Sequence, residues 1–120
     1  MTVNIKKQGV SETVLDLIGN TAMVKLNRIS SFLNFPENVS VFGKCEFFNP
    51  GGSVKDRIAL KMVMDAEESG RIKRGDTLIE ATSGNTGIGL SLVGAILGYK
   101  VIVTLPEKMS GEKVNIMKLL

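Results

Sequence analysis

Pro50-Gly51-Gly52-Ser53-Val54-Lys55-Asp56-Arg57 sets a lysine at the start of a helix, directly after a glycine pair. Downstream, Val54, Ile58, Met62, Val63 and Ala66 recur at helical spacing from Ser53 to Ser69, and Gly70 stops the run. Ser53 is a good N-cap, and Asp56 three residues later resembles the reciprocal half of a capping box. An imine-forming lysine must be available as the neutral amine. A place near the second helical position, partly buried, is expected to disfavour the ammonium form. Gly51 and Gly52 permit a tight bend with unusual backbone angles and close approach by a planar ligand. Taken alone, the same residues also read as an ordinary capped helix whose first turn carries a solvated Lys-Asp-Arg triplet.

A second turn lies about thirty residues on, at Thr82-Ser83-Gly84-Asn85-Thr86-Gly87. It joins the strand Thr77-Leu78-Ile79-Glu80 to a helix that runs to about Leu97 and closes at Gly98. Ligands of open α/β sheets bind at the carboxyl ends of strands, and a helix start presents free N–H groups to an anion. Ser83, Asn85 and Thr86 add hydroxyl and amide donors. The alternative is a Ser-capped turn with close helix packing. No Gly-Lys-Ser/Thr follows and no GxGxxG is present, so neither nucleotide fingerprint applies.

The remaining elements set the fold class. Ser11 to Leu17 reads as a helical turn ended by Gly19-Asn20, and Met23 to Leu26 as a short strand. Val39 to Phe47 alternates as a strand with Val41, Gly43 and Cys45 on one face. Lys100 to Leu105 is another strand, and Ser110 caps a last helix with Val114, Met117 and Leu120 on one face. The alternation of strand and helix implies an α/β fold, a parallel open sheet with flanking helices and right-handed crossovers. The helix from Thr86 to Leu97 has no charged face and needs cover on most sides, which points to the front part of a larger enzyme.

Composition narrows the function classes. The 120 residues are 43% hydrophobic with a net charge of +3, which suits one globular domain and no nucleic-acid surface. Arg71-Ile72-Lys73-Arg74 reads as a solvated loop. With no histidine, His-based acid–base catalysis and His-ligated metal sites are excluded, and no metal is expected. The lone Cys45 permits no intrachain disulfide and reads as a small buried strand residue. No signal peptide is recognisable in residues 1–9, and the apolar run Ile88 to Leu97 is too short to span a bilayer. The expectation is a cytoplasmic protein without nucleic-acid or membrane partners.

The longer stretch from Cys45 through Phe47-Phe48-Asn49 to Arg57 closely resembles the cofactor-lysine segment of the cysteine synthase and cystathionine β-synthase family of pyridoxal-phosphate enzymes. Glu80 to Gly89 resembles that family's substrate-carboxylate loop, in the same order and spacing. The resemblance runs from about Gly19-Asn20-Thr21 to the end of the chain. It implies a partial tryptophan-synthase-β-like fold, with residues 1–120 as the N-terminal portion of a catalytic core and no complete second domain. It implies pyridoxal 5′-phosphate as cofactor, Lys55 as its Schiff-base lysine and proton carrier, and Asn85 at the cofactor's 3′-oxygen. Thr82, Ser83, Gly84 and Thr86 would hold the substrate carboxylate.

Pro106 to Val114, with Phe47-Phe48-Asn49, leans to the cystathionine-forming branch. The implied reaction is β-replacement on serine by homocysteine. The alternatives are O-acetylserine with sulfide, giving cysteine, or a non-catalytic relative that binds a metabolite or partner subunit. A homodimer is implied for the full-length form. Ala22 and Ala81 stand where related proteins often carry proline. The family's phosphate loop and the residue facing the pyridine nitrogen have no counterpart within these 120 residues, so turnover by them alone is not expected.

Overall fold

The computed structural model describes residues 9–82, 84–108 and 110–120. In chain order the elements are β1 (Met23–Lys25), α1 (Asn27–Phe32), β2 (Phe42–Lys44), α2 (Lys55–Glu68), β3 (Thr77–Ala81), α3 (Asn85–Leu97), β4 (Lys100–Thr104) and α4 (Gly111–Leu119). Short 3-10 turns occupy Val14–Leu17 and Glu46–Phe48.

The parallel sheet with flanking helices is present in β3 and β4, which run in register from Thr77 opposite Lys100 to Ala81 opposite Thr104. Period-two alternation decides its faces. Leu78 and Val101 turn toward a core of Leu15, Ala59, Val63, Leu90, Val93 and Tyr99. Ile79 and Ile102, paired across the two strands, are 69% and 50% exposed on the strands' other side. Among the described residues, that side lacks the cover a parallel sheet normally has.

β2 does not join this sheet as expected. It pairs antiparallel with β1, Val24 standing opposite Gly43. The connection between them carries α1 and is long enough for a crossover, so its length does not choose the direction; the chain returns antiparallel. The strand is also shorter than the span Val39 to Phe47. After Lys44 the chain tightens, Phe48 N–H donating to the Cys45 carbonyl at 3.2 Å. Val41, Gly43 and Cys45 are half-buried on one side as expected, with Cys45 just past the strand end. The helix α1 has no buried residue and gave no apolar period to read.

α3 is covered as its composition demands: every residue from Gly87 to Gly94 is buried. α2 crosses it at Gly89, where a Cβ would stand 3.0 Å from the Ala59 methyl and 3.1 Å from the Lys55 carbonyl oxygen. Glycine allows this approach without crowding, whereas a Cβ would need the neighbouring helix to give by a few tenths of an ångström. The far ends of the two helices are tied by Tyr99, whose hydroxyl donates to Glu67. Burial, and then the Glu67 carboxylate, push the Tyr99 hydroxyl up to about 12. Arg74 pairs with the same carboxylate and donates to the Leu97 carbonyl at 2.7 Å. No helix of the described residues is long and apolar enough to cross a membrane.

Candidate functional site

The lysine turn is built from a chain of local bonds. Gly52 N–H donates to the Asn49 carbonyl at 2.7 Å, and Gly52 then takes a left-handed φ of 78° that favours glycine. Ser53 Oγ accepts the Lys55 N–H at 3.1 Å, capping the helix as expected. α2 is bounded at Lys55, but Val54 before it is already helical in its angles, so counted from the Ser53 cap the lysine holds the second position, as expected. Asp56 does not complete a capping box. Its carboxylate accepts the Gly51 N–H instead. Lys55 is exposed rather than partly buried.

The turn is held from outside by a polar clamp that the sequence reading missed. Arg57 grips Glu46 side-on, Nε to Oε2 at 2.8 Å and Nη2 to Oε1 at 3.0 Å. Thr21 Oγ1 donates to Glu46 at 3.1 Å, and Asn49 Nδ2 donates to it at 2.8 Å. The Asn49 side-chain oxygen accepts the Gly19 N–H at 2.8 Å. Hydrogen bonding to Arg57 is the largest reason that the Glu46 carboxyl is held down to about 2. The available signal is the opposite charges of Glu46 and Arg57 flanking the glycine pair, but the sequence reading weighs Arg57 only in the alternative of a solvated Lys-Asp-Arg triplet.

At the second turn, Thr82 N–H extends the β3–β4 ladder to the Thr104 carbonyl at 3.2 Å. Gly84 N–H donates weakly to Thr82 Oγ1 at 3.4 Å, and Gly87 N–H to the Gly84 carbonyl at 3.0 Å. Gly84 is the N-cap of α3 and offers it no side-chain acceptor. The first N–H groups of α3 therefore suit an external anion. Thr82, Gly84 and Thr86 are half-buried and Asn85 is exposed. Ser83, the remaining expected carboxylate ligand, lies outside the described residues. A cleft of about 400 Å³ lined by Ala81, Thr82, Thr104, Leu105 and Pro106 opens at the carboxyl ends of β3 and β4.

Lys113 is a second residue the sequence reading missed here. A Cβ on Gly84 would stand 3.5 Å from its Nζ, so α4 sets an ammonium against the turn. Glu112-Lys113-Val114 had been used only to choose a branch of the family.

The crossing of α2 and α3 joins the two turns. The Lys55 carbonyl packs on Gly89, and Gly89 lies one helical turn beyond Asn85. Two helix starts, one bearing an amine and the other without a side-chain cap among the described residues, therefore lie on neighbouring turns of two packed helices. Among the described residues, the ion pairs are Arg57–Glu46, Lys61–Asp65 and Arg74–Glu67, none involving Lys55. A Cβ on Gly52 would meet nothing within 4 Å, leaving open space beside the lysine turn. An accessible amine, room beside it and an anion-ready helix start fit a planar aldehyde cofactor with an anionic amino-acid partner.

Known proteins resemble this chain over most of its length. Over 114 residues the chain is 60% identical to a cystathionine beta-synthase of Dictyostelium discoideum, covering 95% of this chain and 22% of that protein. It is 51% identical to a probable cysteine synthase of Bacillus subtilis over 86% of this chain and 32% of the relative. The crystal structure of O-acetyl serine sulfhydrylase isoform 3 from Entamoeba histolytica superimposes with a TM-score of 0.91 at 40% identity, over 99% of this chain and 36% of that one. The chain thus spans about a fifth to a third of the length of these relatives. The family model for pyridoxal-phosphate dependent enzymes matches residues 14–120, and to that family the chain belongs.

Proposed function

We propose that this chain is the lysine-bearing N-terminal portion of the catalytic core of a β-replacement enzyme, condensing serine with homocysteine to cystathionine. The observation that carries the reading is the seat of Gly89 on the Lys55 carbonyl, which sets the amine-bearing helix start beside the start of α3 at Asn85. Overall, the Cβ–O bond of serine breaks, a Cβ–S bond to homocysteine forms, and the hydroxyl leaves with the thiol proton as water.

Lys55 and Asn85 would hold pyridoxal phosphate, which when bound supplies an electron sink for charge developing at the substrate α-carbon. Lys55 Nζ takes and holds the proton from that carbon. The helix start at Asn85 and Thr86, with the hydroxyls of Thr82 and Thr86, orients the substrate carboxylate. Ser83 and Gly84 belong to the same carboxylate turn. The Lys113 ammonium adds positive charge against the Gly84 side of that turn. The Glu46–Arg57 clamp is given no part in binding substrate: its carboxylate is taken up by Arg57, Thr21 and Asn49. It fixes the approach to the lysine turn from both ends.

The second reading is a cysteine synthase acting on O-acetylserine and sulfide. Its support is the 51% identity to the probable cysteine synthase and the close superposition on the sulfhydrylase. The two are separated by offering the natural protein that carries this chain serine with homocysteine, and O-acetylserine with sulfide, in parallel. The favoured reading expects cystathionine as the faster product. Cysteine formed with no detectable cystathionine decides for the alternative.

A further inference from the structure

Asp56 follows Lys55 directly and has no place in the reaction described above. It is 0% exposed, on the α2 face that also buries Ala59 and Val63. Burying a carboxyl is costly, and here desolvation raises its pKa above the ordinary aspartate value. Ordinary capping does not explain it, because Ser53 already caps α2. One oxygen, Oδ2, accepts the Gly51 N–H. The other, Oδ1, has no hydrogen-bond partner among the described residues.

Gly51 is complementary to it. A Cβ built on Gly51 would run into the Asp56 carboxylate, with Oδ1 the nearest atom. Unlike Gly52, Gly51 does not have a left-handed φ, so space rather than backbone angle demands glycine there. The carboxylate therefore occupies the volume a side chain at 51 would take.

We propose that Asp56 is a positioning residue for Lys55, its carboxylate latching the Gly51–Gly52 turn onto the first turn of α2. The inference rests on the reading of Lys55 given above. Residues 51–56 form a short loop that Asp56 closes on itself, with Lys55 inside it. The Ser53 cap fixes the Lys55 N–H within that loop, and the Gly52 bond to Asn49 ties it to the Glu46–Arg57 clamp. Releasing the latch leaves α2 able to form but frees the turn that presents the amine.

The test uses the natural protein carrying this chain, loaded with pyridoxal phosphate. Visible circular dichroism reports the pose of the bound cofactor, dilution reports its retention, and far-UV circular dichroism checks the fold. Asp56→Ala is expected to alter the visible signal and weaken retention on the order of tenfold, the scale of one lost hydrogen bond to a charged group. Asp56→Asn keeps an oxygen for the Gly51 N–H and is expected to restore both signals. Gly51→Ala pushes the carboxylate without removing it and should disturb the visible signal by itself, so the test survives if Asp56→Ala fails to fold. Adding Asp56→Ala to Gly51→Ala should cost nothing beyond Asp56→Ala alone.

Unchanged cofactor signals in folded Asp56→Ala, or in Gly51→Ala, overturn the latch. So does Asp56→Asn behaving as badly as Asp56→Ala, since charge would then matter and not the acceptor. Lys55→Ala run alongside separates the two ideas. If it too leaves the cofactor signals intact, the lysine reading has failed; if it abolishes them while Asp56→Ala does not alter them, only the latch has.

Discussion

Gly89 seats the Lys55 carbonyl: a Cβ at position 89 would stand 3.1 Å from that oxygen. The contact is backbone against backbone, so it fixes α2 relative to α3 independently of what the lysine amine does. Gly89→Ala is expected to crowd the crossing, where the neighbour would have to give by a few tenths of an ångström. The expected loss is about 1–3 kcal/mol, the usual range for overpacking a filled interior. Urea unfolding measures it, and cofactor retention in the loaded protein should fall with it.

Two carboxyls at the lysine turn should give opposite pH slopes. The Glu46 carboxyl is depressed to about 2 in the folded chain, mainly by its hydrogen bond to Arg57. Its stabilisation is present above the unfolded value of 4.5 and is lost as pH falls toward about 2. Glu46→Gln should therefore lower stability at neutral pH and flatten the acid limb of a Tm-against-pH curve.

Asp56 acts the other way. Its folded pKa is raised above 3.8, chiefly by burial, so its contribution is fullest below that value and declines as pH rises through the folded one. Asp56→Asn should gain on the wild type as pH is raised from the unfolded value to neutrality. A stability difference between the two that does not change across that window contradicts the assignment.

Both carboxyls show what the chain reveals before it is folded. The helices at Lys55 and Asn85, the parallel pair β3–β4 and the buried α3 were legible because apolar period, caps and glycine stops agree locally. The two turns were legible as motifs. Their junction was not, since it depends on Gly89 meeting a carbonyl more than thirty residues earlier. Asp56 looked like a capping residue because its spacing from Ser53 suits one. Tertiary geometry instead turned it toward Gly51. β2 was mispaired because an alternating run does not declare its partner or direction.

Lys113 gives a prediction tied to the carboxylate turn. Its ammonium lies against Gly84, so Lys113→Met should weaken anion binding there and leave the fold intact. In the natural enzyme KM for the amino-acid substrate is expected to rise about tenfold, equivalent to about 1.4 kcal/mol. The value of kcat should change less. A fall in kcat with KM unchanged would instead place Lys113 in the chemical step.

Tyr99 supplies the control far from the site. Its hydroxyl holds the Glu67 carboxylate at the other end of the helix pair. Tyr99→Phe should lower Tm, through loss of that bond, and leave the visible circular dichroism of the cofactor unchanged. A disturbed cofactor signal would mean that the helix pair transmits strain along its whole length.

The central claim is that Lys55 is the residue to which the cofactor is bound. Its most direct measurement is the visible absorbance of the natural protein and its Lys55→Ala variant, each incubated with pyridoxal phosphate, treated with borohydride and analysed by peptide mass. The account predicts a cofactor mass fixed on the peptide containing Lys55 in the wild type, and neither that adduct nor the protein-linked band in the variant. A stoichiometric adduct on another lysine of the wild type, with an unchanged band in Lys55→Ala, would contradict it.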